Sequence, residues 1–202
     1  MFLTNLISRA RKKFCANPAR PVQDLVSPVR PMIHPVVDEN NHPEGLALAP
    51  FCRGKGLDIG CGSRKVSPDC IGVDIMAGGE RGRHGVVANQ ICIADVQASG
   101  DNLHMFANGE LDYIVSRHNL EHYIDVVKTL REWRRVLRPG GTLAIIVPDE
   151  RAGDTIFLDP THKHCFTPES LKNFLDVIGG FEVLRTETVI PDWSFLLVAQ
   201  KL

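Results

Sequence analysis

Two stretches of this 202-residue chain carry side chains whose types and spacing could do chemistry. In "SRHNLEHYID", residues 116–125, His118, Glu121 and His122 fit the H-x-x-E-H pattern in which two imidazoles hold zinc and a glutamate activates water. That chemistry needs both histidines on one face of a helix and a third ligand, for which His162 and His164 are available. The segment instead follows an apolar run directly, where the chain is still turning, and helical periodicity begins only after Asp125. No metal ligand is therefore assigned, and a zinc hydrolase on His118, Glu121 and His122 is kept only as an alternative.

The second stretch is Asp58-Ile59-Gly60-Cys61-Gly62-Ser63, again after an apolar run. Two glycines two apart let the backbone turn tightly and approach a ligand with free amide donors. Asp74 ends the next apolar run, 14 residues after Gly60. A carboxylate there can accept both hydroxyls of a ribose, as in dinucleotide folds, where the interval is about 20. This interval is too short for a full helix and contains Pro68, so a pyrophosphate would lack its helix N-terminus. The pattern favours a nucleoside ligand without a phosphate and disfavours nicotinamide chemistry. Cys61 has no base beside it and reads as a small loop-filling residue.

These residues need strand ends to hold them. Leu57–Ile59, Cys70–Asp74, Gln90–Asp95, Leu111–Val115 and Thr142–Val147 each read as a buried strand, and five in half the chain predict a parallel sheet. Ile124–Arg138 carries a helical stripe stopped by Pro139-Gly140-Gly141. A second helix is expected at Pro168–Ile178, with Thr167 as N-cap and Gly179-Gly180 as stop. Phe181–Ile190 and Ser194–Leu202 then form an antiparallel hairpin around Pro191-Asp192.

The stretches "GLDIGCGSRK", "CIGVDI", "ICIADVQ", "LDYIVSRHNLEHYID" and "EWRRVLRPGGTLAIIVPD", in this order, resemble the class I methyltransferases that use S-adenosylmethionine. The resemblance implies an α/β fold: a seven-stranded, mostly parallel, Rossmann-like sheet flanked by helices, with the last strand antiparallel. It implies S-adenosylmethionine as cofactor, held by Asp58, Gly60, Cys61, Gly62, Asp74, Ile75, Asp95, Val96, Ser116, Arg117 and His118. In that assignment Gly60 to Gly62 pass the methionyl part, with Asp58 near its amino group. Asp74 takes the ribose hydroxyls, and Asp95 accepts the adenine amino group with Val96 beside the ring. The tail "DPTHKHCFTPESLKNFLDVIGGFEVLRTE" resembles the acceptor side of small-molecule members. The expected activity is methyl transfer to a small molecule such as a sugar or glycan precursor. A non-catalytic S-adenosylmethionine-binding regulator is an alternative.

A weakly acidic hydroxyl acceptor would need a general base, worth about 10² to 10⁴ in rate. His118 and His164 are the candidate catalytic residues, with His162 a further candidate base. Asp149, Arg151 and Asp159 are available to orient a polar acceptor.

A net charge of −1 supplies no field that draws nucleic acid. The six scattered cysteines read as reduced thiols in a cytoplasmic protein. Charge is uneven, however: residues 1–37 hold six basic side chains against Asp24, a balance of +5. Residues 1–14 place apolar positions at helical spacing beside that charge, which suits a weak contact with a membrane surface or a protein. Seven of the thirteen prolines fall in residues 15–50. We therefore divide the chain into a basic helix with a proline-rich arm or lid, 1–50, and a methyltransferase domain, 51–202.

Overall fold

The computed structural model describes residues 42–82 and 89–202. The basic helix expected at 1–14 and most of the proline-rich arm lie outside the described residues. Seven strands, β1 Gly56–Ile59, β2 Ile71–Asp74, β3 Val96–Gln97, β4 Leu111–Arg117, β5 Leu137–Pro148, β6 Phe181–Ile190 and β7 Ser194–Lys201, form one sheet. Their order is β3-β2-β1-β4-β5-β7-β6. Every pairing from β3 to β5 is parallel, and only β7 runs against its neighbours, as expected from the final hairpin.

The central strands are apolar at nearly every position because helices and loops cover both faces. One face packs under α2, Val126–Val136, and α4, Pro168–Ile178, which follows the single-turn α3, Thr155–Leu158. In α2 the spacing of Val126, Leu130, Trp133 and Val136 puts all four against the sheet, while Asp125 caps the helix by accepting from the Lys128 amide. Thr167 and Ser170 form a reciprocal capping box at the start of α4. The other face holds Leu48, Cys70, Tyr113, Ala144, Ile146 and Leu196.

Leu48 belongs to α1, Pro43–Leu48, a short helix within the stretch expected to be a proline-rich arm or lid. Pro43 occupies the first turn, where its missing N–H is harmless, and the His42 ring accepts from the Glu44 amide. The third strand is also shifted: Gln90–Asp95 contributes one isolated bridge at Ile91, and pairing begins at Val96. No helix joins β1 to β2, in keeping with the short interval between Gly60 and Asp74.

Candidate cofactor site

Between β1 and β4 the strand order reverses, and a cavity of about 240 Å³ opens there at the carboxyl ends. It is lined from β1 by Ile59 and Gly60, from β2 by Val73, Asp74 and Ile75, and from the chain after β3 by Ala98, Ser99 and Gly100. Asn119, His122 and Tyr123 close it from the turn after β4. Ligand pockets usually run from about 300 to 1,000 Å³, so this volume suits a nucleoside better than a dinucleotide.

Gly60 is required at its position. Its φ of 76° is left-handed, and a Cβ there would stand 2.5 Å from the Asn119 side chain. The Asn119 carbonyl accepts from the Tyr123 hydroxyl at 2.8 Å, so the cavity wall is braced on itself. Asp74 is buried, yet both its oxygens are engaged: Oδ2 accepts from the Gly62 amide at 2.9 Å and Oδ1 from the Met76 amide at 3.0 Å. An ionised carboxylate has about four acceptor sites, which leaves lone pairs for a ligand's hydroxyls. Ile75 is 71% exposed at the rim, an apolar surface for a flat ring.

Other expected cofactor residues sit elsewhere. Asp95 is exposed and does not line the cavity; its Oδ2 accepts from the Gly72 amide at 2.7 Å and from Lys65 at 2.9 Å. Those bonds hold its carboxyl below the usual range. Val96 starts the edge strand beside it. Ser99 and Gly100 occupy the cavity wall instead, and sequence reasoning missed both. Asp58 is buried under the glycine turn, where burial raises its pKa to about 6 against the opposing bond from the Val66 amide. Cys61 is buried, and burial pushes its thiol up, which suits an inert filler. Ser116 donates to the Ile59 carbonyl at 3.2 Å, tying β4 to β1. Arg117 is half-buried, and burial lowers its pKa.

The candidate bases fare differently from expectation. His118 has a φ of 48°, and its Nε2 is 2.8 Å from Glu44 Oε1. Burial alone would lower this imidazole's pKa, but the carboxylates of Glu44 and Glu121 outweigh it and raise the value to about 9. Glu44 responds in the opposite sense. Burial would raise it, yet His118 and the Ser194 hydroxyl at 2.6 Å bring it to about 2. In this structure His118 is thus the charged partner of Glu44. His164 is tethered to the Ile124 carbonyl at 3.2 Å and stacks on Phe166, away from the cavity. Asp149 and Arg151 satisfy each other in a two-pronged ion pair. Leu120–His122 form a single 3₁₀ turn, so the helical face required by the H-x-x-E-H zinc pattern does not exist.

Residues 57–145 match a family model described as a methyltransferase domain. No curated protein matches the chain by sequence. Among solved structures, an S-adenosylmethionine-dependent methyltransferase from Mesorhizobium loti is 16% identical, with 81% of this chain and all of that one covered and a TM-score of 0.60. One from Archaeoglobus fulgidus is 18% identical over 80% and 96% of the two chains, at 0.57. A putative methyltransferase from Haloferax volcanii, solved with the Trm112 methyltransferase activator, is 17% identical over 79% and 89%, at 0.59. Identities this low establish the fold alone. The family match places a methyltransferase domain within residues 57–145, and the solved structures share this chain's Rossmann-like sheet. The glycine cradle and buried Asp74 fit S-adenosylmethionine, on which those solved methyltransferases depend.

Proposed function

We propose that this chain is an S-adenosylmethionine-dependent methyltransferase acting on a small-molecule acceptor, a sugar or glycan precursor. The observation that supports a nucleoside-binding methyl-transfer site most directly is Asp74. It is a buried carboxylate with spare lone pairs in a cavity floored by Gly60. In this reading Asp74 accepts from the ribose, Ile75 lies against one face of the adenine, and Ser99 and Gly100 meet its edge. Gly60, Cys61 and Gly62 leave room for the methionyl chain, and the face lined by Asn119, His122 and Tyr123 receives the acceptor.

Bound S-adenosylmethionine supplies an electrophilic methyl group on a sulfonium. The residues around it must hold the acceptor in line and exclude water, and such alignment can contribute on the order of 7 to 11 kcal/mol in the best cases. The net charge of −1 gives no attraction to nucleic acid. Calorimetric titration with S-adenosylmethionine tests the cofactor assignment. Labelled methyl incorporation into pooled sugars and nucleotide sugars tests the acceptor. Label appearing in RNA or protein, and in no small molecule, would refute the acceptor class; binding without turnover on any pool would favour a regulatory S-adenosylmethionine-binding protein.

A further inference from the structure

Glu121 is 1% exposed, and neither of its carboxylate oxygens has a hydrogen-bond partner among the described residues. A buried carboxylate left in that condition is costly, and such groups are paired or coordinate metals. Three imidazoles surround its Oε1: His118 Nδ1 at 3.7 Å, His162 Nε2 at 3.8 Å and His122 Nε2 at 3.9 Å. All three distances exceed hydrogen-bonding range. His118 is already committed to Glu44. One donor atom each from Glu121, His122 and His162 lies within 4.8 Å of the others. Ligands about 2.0 to 2.2 Å from a common ion stand roughly 3.4 Å apart in a tetrahedron, so each carboxylate–imidazole pair must close by about 0.5 Å and the widest separation by up to about 1.4 Å, which side-chain rotation can supply.

The surroundings of His122 fix its ring for that purpose. Thr161 Oγ1 donates to Asp159 Oδ1 at 2.6 Å, so its lone pair is left to accept from His122 Nδ1, 3.1 Å away. A proton on Nδ1 leaves Nε2 as a bare lone pair facing Glu121. Such a carboxylate, hydroxyl and imidazole relay is how metal-ligating histidines are oriented. The loop that carries Thr161 and His162 is fastened to the same turn, because the Lys163 and His164 amides donate to the Glu121 carbonyl at 2.7 and 3.2 Å. His122 also lines the cofactor cavity, so the cluster borders the face on which an acceptor must approach.

We propose that Glu121, His122 and His162 form a binding site for one divalent transition-metal ion, of the zinc or manganese class. Two imidazoles and a carboxylate are a ligand set that leaves coordination positions open. Those positions would take oxygen atoms of the methyl acceptor; this last role, unlike the ion site itself, rests on the methyltransferase reading. The site differs from the H-x-x-E-H pattern in sequence, since His162, 40 residues on, replaces His118.

The test uses the full chain, stripped with a chelator and titrated calorimetrically with Zn²⁺, Mn²⁺ and Mg²⁺ separately. One equivalent of Zn²⁺ or Mn²⁺ should bind, and Glu121→Gln and His162→Asn should each weaken that binding at least tenfold. Their circular dichroism should match that of the parent. Absence of binding by the folded parent, or binding unchanged in both variants, would overturn the site. Should the variants fail to fold, Co²⁺ added to the parent chain should give visible absorption of mixed nitrogen and oxygen coordination; the spectrum of the hydrated ion would overturn it. Titration of the metal-free parent with S-adenosylmethionine reports on the methyltransferase reading by itself.

Discussion

The pairing of His118 with Glu44 makes a prediction whose size follows from the structure. The imidazole's pKa is about 9 in the fold against an ordinary 6.5. A difference of about 2.5 units, at 1.36 kcal/mol per unit, corresponds to roughly 3 kcal/mol, the upper bound for this pair because Glu121 also contributes to the shift. Glu44 falls from 4.5 to about 2, which is the same attraction seen from its other end and is not added. His118 binds its proton more tightly when folded, so its contribution is complete below pH 6.5 and is lost as pH rises through 9. The Glu44 contribution is complete above pH 4.5 and is lost as pH falls through 2. Stability from this pair is therefore full between about pH 4.5 and 6.5. Urea unfolding at pH 6 and pH 9.5 should differ by up to about 3 kcal/mol more in the parent chain than in Glu44→Gln. At pH 6 that variant should lose about 3 to 5 kcal/mol, the usual result of stranding one charge of a buried pair. A parent chain whose pH dependence from 6.5 to 9.5 matches that of Glu44→Gln would refute the reasoning.

Three further substitutions separate the cavity from its neighbourhood. Asp74→Ala should weaken S-adenosylmethionine binding by roughly 1 to 3 kcal/mol, read by calorimetry, if the ribose donates to that carboxylate. Asp95→Ala should leave the same affinity within about threefold, because its carboxylate is turned toward Gly72 and Lys65; a tenfold loss would restore the adenine role first expected of it. Gly60→Ala should destabilise the chain by roughly 1 to 3 kcal/mol in a denaturant titration and abolish cofactor binding, since a left-handed residue would carry a Cβ into Asn119.

Local pattern carried the sheet because each central strand is a nearly unbroken apolar run between turn residues, and α4 announced itself through Thr167, Pro168 and Gly179. The third strand escaped because it has two residues and pairs on one side only, so it had little sequence in which to show a period. Asp74 stands at the end of β2, where the sequence pattern put it. With that strand shift the chain after β3 brings Ser99, rather than Asp95, to the cavity. The pairing of His118 was not legible because Glu44 lies 74 residues earlier, in a stretch read as an arm. The Glu121, His122 and His162 cluster likewise joins two segments that no local spacing relates.

The buried Glu44 also has a meaning for where the folding unit begins. Its carboxylate holds Ser194, 150 residues onward at the start of β7, as well as His118 at the end of β4. A fragment cut at residue 50, where proline spacing alone would place the boundary, keeps every strand of the sheet. It nevertheless discards the anion that neutralises His118 and the Leu48 side chain that seals the same face. A piece that keeps this pair and that seal must therefore start no later than His42, whose ring caps the helix that delivers Glu44.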